Sequence, residues 1–113
     1  KKRNAYRWTA LQKRKEILNS EFIDQIDKVA ALNTLLKQVA ITAYGRNQTA
    51  SLQNQEWVEF LANSCNYVEA PKDLLNSIEI GYKNKHKLPA LEKIQALDTL
   101  ANFSLKWIKG HHQ

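Results

Sequence analysis

The chain has 113 residues and is 43% apolar, enough for one domain with a buried core, which excludes wholesale disorder. Three Gly and two Pro exclude a turn-rich sandwich or barrel, and a single Cys excludes an intrachain disulfide and suits a reducing compartment. The net charge of +6 lies entirely in residues 1–16, which hold seven basic groups and one acid, while the remainder carries ten of each sign.

The chain opens KKRNAYRW, without Met, in a basic run with interleaved aromatics. Lys and Arg collect on the cytoplasmic flank of membrane spans, and Tyr and Trp favour the water–lipid interface. A transmembrane helix preceding Lys1 is therefore expected, with Lys1, Lys2, Arg3, Arg7 and Trp8 lying near the membrane. No run of about 18 apolar residues occurs in the chain itself, and no apolar stretch follows KKRNAYRW as a signal peptide requires.

Residues 4–18 read as a basic helix with a thin apolar stripe of Tyr6, Ala10, Leu11, Ile17 and Leu18, a connector packed on one side. Asn19 or Ser20 is expected to cap the next helix, with Glu21 in its first turn. That second helix has the clearest pattern. Phe22, Ile26, Val29, Leu32, Leu36, Val39 and Ala43 recur at steps of three and four and share one face, and Gly45 ends it. A polar connection follows, with one turn placed around Ser51 and Leu52. NQEWVEFLANSC predicts a third helix capped by Asn54, with Trp57, Phe60, Leu61 and Ser64 on one face. Pro71 opens a short fourth helix. The basic loop GYKNKHKL comes next. Pro89 begins the last helix, whose inward face is expected at Ile94, Leu97, Ala101, Leu105 and Ile108, with Gly110 as its end. These elements make an all-α bundle of about four or five helices, divided into a juxtamembrane or connector helix over 1–19 and a helical domain over 20–113.

Sites for chemistry are sparse. Cys65 lies at a helix end with no motif placing His86, His111 or His112 beside it as a base, so it reads as a structural thiol rather than a nucleophile. His111 and His112 are adjacent and point apart on a helix, and His86 sits among lysines that repel a cation, so no zinc site is expected. The two terminal histidines read as a native basic end or a fragment of a purification tag. Asp24 with Asp27, and Glu56 with Glu59, read as solvated helix faces. No phosphate loop, HExxH or CxxC occurs, so neither a cofactor nor an enzymatic activity is expected. The basic first helix permits two kinds of partner. An anionic membrane surface gains about 1 kcal/mol per nearby Lys or Arg. Nucleic acid is the alternative, tracked through its phosphates by the same helix.

Two stretches carry a resemblance to a known family. LLKQVAITAYGR, with Leu35, Leu36, Val39, Ala40 and Tyr44, is similar to a helix ending "LLRRVALxxY". NQEWVEFL, with Trp57, Phe60 and Leu61, is similar to "GxxWLxFL". SLKWIKGHH, with Trp107, Ile108 and His111, matches an ending of the type "RRWIRxH", which favours a native end. The pattern resembles a bacterial family of short single-pass membrane proteins of unknown function. These are encoded beside MoxR-type AAA+ ATPases and von Willebrand factor A domain proteins, in aerotolerance-type (Bat) clusters. The chain departs from the pattern at Asn54, where Gly is common, and in the more basic GYKNKHKL loop.

The resemblance implies a setting at the bacterial inner membrane, with this domain on the cytoplasmic side. It implies docking or scaffolding with the ATPase and von Willebrand factor A partners, in assembly or stress tolerance. Leu36, Val39, Tyr44, Trp57, Phe60, Leu61, Trp107 and Ile108 are the family-motif residues and are expected in the core. Lys83, Lys85 and Lys87 in the basic loop offer a partner surface.

Overall fold

The computed structural model describes residues 2–65, 69–82 and 87–111, with side chains from residue 5. It is all helical, and no strand occurs among the described residues. The helices are α1 (Lys2–Asn19), α2 (Gln25–Tyr44), α3 (Arg46–Thr49), α4 (Asn54–Asn63), α5 (Leu74–Ile80) and α6 (Ala90–Gly110). The six helices among the described residues exceed the four or five expected from sequence because α3 is a separate single turn.

The centre of the bundle is the pairing of α2 with α6, the two longest helices. α1 lies against both of them, α5 packs on α6 and α2, and α4 packs on α5. α2 buries Ile26, Val29, Leu32, Leu35, Leu36, Val39 and Ala40, a stripe that supplies much of the core and includes one polar residue, Asn33. α1 adds Ala10 to that core and packs Tyr6, Leu11, Ile17 and Leu18 against it. The basic helix is thus part of the same apolar interior.

α2 starts later than its sequence pattern indicated. Its N-cap is Asp24, whose carboxylate accepts from the Asp27 amide at 2.9 Å. A carboxylate at this end also suits the helix dipole, and that combination outweighs capping by Asn19 or Ser20. The Ser20 hydroxyl instead accepts from the Phe22 amide at 3.3 Å. Phe22 consequently falls before the helix and is 97% exposed, although its spacing matched the core stripe.

Gly45, with φ of 92°, ends α2 and begins α3. Its amide donates to the Ile41 carbonyl at 2.9 Å, and its carbonyl accepts from the Thr49 hydroxyl at 2.9 Å. The turn expected around Ser51 and Leu52 therefore forms earlier, at Arg46–Thr49. α5 likewise starts at Leu74 instead of Pro71, after a turn in which the Leu74 amide donates to the Pro71 carbonyl at 3.1 Å. At its far end, a Cβ on Gly81 would stand 3.2 Å from the Ala30 backbone, so α5 meets α2 through a position that only Gly fits without a shift.

The inward face of α6 is rotated from the expected one. Ala96, Leu100, Phe103, Ser104, Trp107 and Ile108 are buried, whereas Ile94 is 49% exposed. Two apolar stripes compete on this helix, and the one carrying Phe103 and Trp107 removes more area from water.

Asn54 opens α4 with φ of 54°, the left-handed region that Asn and Gly tolerate. Asn54→Ala is expected to lower stability by about 1 kcal/mol, and Asn54→Gly to leave it unchanged or raise it. Urea midpoints of the three proteins check this, and an Ala variant as stable as the parent would overturn it.

Candidate functional site

Two side-chain clusters stand out: a joint between the first and last helices, and a cleft between α2, α4 and α5. The joint is built around His111, which follows α6 and is buried. Its ring stacks on Trp107 at 4.3 Å, and its Nδ1 lies 2.9 Å from the Trp107 carbonyl oxygen. The same Nδ1 lies 3.3 Å from Arg7 Nη1, and Nε2 lies within hydrogen-bond distance of the Tyr6 hydroxyl, at 2.7 Å. The Arg7 guanidinium donates to the carbonyls of Ile108 and Lys109, both at 2.9 Å, and of His111 at 2.7 Å. Arg7 thereby satisfies carbonyls that the end of α6 leaves without intrahelical partners. One heptad along α1, Arg14 donates to the Ala101 carbonyl at 2.9 Å and to the Ser104 hydroxyl at 3.3 Å. Burial lowers its pKa from the ordinary arginine value.

This geometry sorts the residues expected at the membrane. Arg7 faces inward onto α6, whereas Trp8 is 66% exposed. Lys13 and Lys15 are exposed on α1 as well. Lys1 lies outside the described residues, as do the side chains of Lys2 and Arg3.

Behind the joint lie the family-motif residues. Leu36, Val39, Trp57, Leu61, Trp107 and Ile108 are buried, and Tyr44 and Phe60 pack partly buried against them. Tyr44 and Phe60 meet edge to face at 5.3 Å. Burial raises the Tyr44 pKa and nearby Tyr6 adds to the rise, while Arg7 and a hydrogen bond with Ser64 oppose it. Trp107 donates from Nε1 to the Leu61 carbonyl and to the Ser64 hydroxyl, both at 3.1 Å. Cys65 is sealed in the same region, and a Cβ on Gly110 would stand 3.2 Å from its Sγ.

The cleft has a volume of about 690 Å³, and Lys37, Leu52, Gln53, Trp57, Glu79 and Tyr82 are among the residues that line it. A hydrogen-bonded chain forms one wall. Trp57 Nε1 donates to Asn33 Oδ1 at 2.8 Å, and Asn33 Nδ2 donates to the Tyr82 hydroxyl at 3.0 Å. Lys37 bridges the cleft's edge. Its ammonium sits 4.3 Å from the centre of the Trp57 ring and donates to the carbonyls of Leu52 and Thr49. Burial lowers the Lys37 pKa. No carboxylate pairs with Lys37 among the described residues.

Sequence reasoning passed over Lys37, Asn33 and Tyr82. One signal was present: Asn33 is a polar residue within the apolar stripe of α2, and such a residue needs a partner. Of the loop lysines, Lys87 is exposed, while Lys83 and Lys85 lie outside the described residues with His86. His112 is outside them too. Asp24 is a cap instead of a purely solvated side chain. No group of three or more metal-ligating side chains occurs among the described residues. Nor is any helix among them long and apolar enough to cross a membrane.

A family model matches residues 1–110, that of a domain of unknown function, DUF4381. The chain belongs to this family. No curated protein and no solved structure matches it. Among the described residues of this DUF4381 domain, polar side chains converge at the joint and at the cleft.

Two expectations follow for the joint. Arg7→Met should destabilise the domain by about 1 to 2 kcal/mol, because three bonds from a charged donor to partly buried or exposed carbonyls are lost. Arg7→Lys should restore only part of this, since an ammonium cannot reproduce the guanidinium fork. Denaturation midpoints, with amide exchange in the last turn of α6, read both; an Arg7→Met protein of parental stability would remove the capping role.

The raised Tyr44 pKa also sets a pH dependence. The unfolded chain ionises first, near the ordinary tyrosine value of about 10, so the contribution is full below that pH and declines above it. Lys37 acts in the opposite sense, because the folded state disfavours its ammonium. The difference between parent and Tyr44→Phe isolates the tyrosine. That difference should shift against the parent between about pH 9 and pH 11, and urea midpoints at the two values decide it.

Proposed function

We propose that this domain is a docking module on the cytoplasmic side of a bacterial inner membrane, tethered by a membrane helix that precedes Lys1. In this reading it works beside a MoxR-type AAA+ ATPase and von Willebrand factor A domain proteins, in assembly or stress tolerance, and performs no catalysis. The partners come from the family resemblance.

The observation that carries the membrane orientation is the two-sided character of α1. Its inner side packs into the core and fixes Arg7 and Arg14 to α6. Its outer side exposes Trp8 near the basic start of the chain. An indole beside basic groups suits the boundary between headgroups and water. The nucleic-acid alternative uses the same helix, but two of its arginines already donate to protein carbonyls.

Two measurements test the reading. The first is recovery of the full-length protein from its native host with associated proteins identified by mass spectrometry. An AAA+ ATPase or von Willebrand factor A protein in the eluate is the expected result, and nucleic acid alone would replace this reading with the alternative. The second is sedimentation of this domain with phosphatidylcholine vesicles containing phosphatidylglycerol. Binding at low salt should disappear near 0.5 M salt, roughly where screening shortens to a few ångströms. Trp8→Ala should reduce it several-fold, and undiminished binding by that variant would remove Trp8 from the membrane contact.

A further inference from the structure

A depression of about 230 Å³ lies between α1 and α2. Ala10, Leu35 and Val39, all buried, close its floor. Thr9 and Lys13 stand on one wall, a turn apart on α1. Gln38 and Thr42 stand on the other, a turn apart on α2. The volume falls below the roughly 300 Å³ at which sites for drug-sized ligands begin, so it suits a fragment the size of a headgroup.

Uncommitted donors separate this place from the other cations of the fold. Arg7, Arg14, Lys28 and Lys37 all donate to protein carbonyls. No hydrogen bond or ion pair engages the side chains of Thr9, Lys13 or Gln38 among the described residues, and all three residues are exposed. The Thr42 hydroxyl differs, because it donates to the Gln38 carbonyl at 3.0 Å. No carboxylate lines the depression among the described residues. Glu16 lines the adjoining depression further along α1 and forms no ion pair with Lys13. An ammonium, a hydroxyl and a carboxamide over an apolar floor, without a competing acid, complement a compact anion that offers several acceptor oxygens.

We infer that this depression holds the phosphodiester of a phospholipid headgroup, with Lys13 supplying the charge and Thr9 and Gln38 the neutral donors. The inference rests on the membrane reading above and names the lipid group recognised and the residues that recognise it. Position favours a lipid over a soluble phosphate, because the depression borders the same exposed side of α1 that carries Trp8. Trp8 and Lys13, five positions along the helix, stand about 140° apart around its axis. An indole on one flank and a headgroup on the other lay α1 along the membrane surface, with α2 beside it.

The test measures binding of the 113-residue chain to phosphatidylcholine vesicles containing phosphatidylglycerol at low salt, and compares Lys13→Gln with Lys15→Gln. Each variant removes one positive charge from an exposed position of α1 whose side chain makes no bond within the described fold. Diffuse attraction to an anionic surface treats the two alike, whereas a phosphate seated between α1 and α2 does not. The expected result is a partition coefficient at least fivefold lower for Lys13→Gln than for Lys15→Gln. Thr9→Val, which changes no charge, should lower it about threefold. Backbone amide shifts on titration with glycerophosphoglycerol should centre on Thr9, Lys13 and Gln38.

Equal losses from Lys13→Gln and Lys15→Gln, with binding still dependent on Trp8, would overturn the site and keep the membrane reading. Shifts at these residues that arise with inorganic phosphate or a single-stranded oligonucleotide, and not with glycerophosphoglycerol, would overturn it in favour of a soluble anion or nucleic acid. Absence of vesicle binding by the parent chain at low salt would overturn both the site and the membrane contact.

Discussion

The Arg7 guanidinium joins the two ends of this fold. It reaches from the second turn of α1 to three carbonyls at the end of α6. Backbone carbonyls at a helix end must find donors, and a planar cation with several N–H groups can serve several at once. Tyr6 and His111 complete the contact, with the imidazole placed between the Tyr6 hydroxyl and the Trp107 carbonyl. The ring stacked beneath it, Trp107, is fully buried. The charged end of the chain is thereby continuous with the centre of the core.

Cations serve the same purpose elsewhere. Lys28 donates to the Leu18 carbonyl near the end of α1 at 2.9 Å. Lys37 donates to the carbonyls of Thr49 and Leu52, where the chain passes from α3 towards α4. Some of the basic side chains are thus structural, holding helix ends and connections through neutral carbonyls while keeping their charge. Within the core, the indole N–H groups of Trp57 and Trp107 also have acceptors. No buried side-chain nitrogen or oxygen lacks a partner among the described residues. Satisfaction of this kind gives a domain of modest size one packed arrangement and a cleft with fixed walls.

Much of the helical order was legible from the chain. The stripe of α2, the stop at Gly45, the Trp57–Leu61 face of α4, and the beginning and end of α6 at Pro89 and Gly110 are local signals. Three failures have a common origin. Phe22 matched the α2 stripe in spacing, but Asp24 made the better cap. Ile94 matched a stripe on α6, but the rotation that buries Phe103 and Trp107 prevailed. The turn after Gly45 formed at once, because Thr49 can bond back to the Gly45 carbonyl. In each case one face or one cap competes with another, and periodicity alone cannot rank them.

The sequence by itself determined the helical class, the concentration of positive charge at one end and the apolar faces that make the interior. These follow from residue spacing and composition, which act locally along the chain. Tertiary structure decided what the polar side chains do. Arg7 finds carbonyls about a hundred positions away, Asn33 finds Trp57 and Tyr82, and Lys37 finds a ring and two carbonyls. Such partners have no signature in spacing. They exist only when helices distant in sequence are packed together and each buried donor and acceptor must be matched in place.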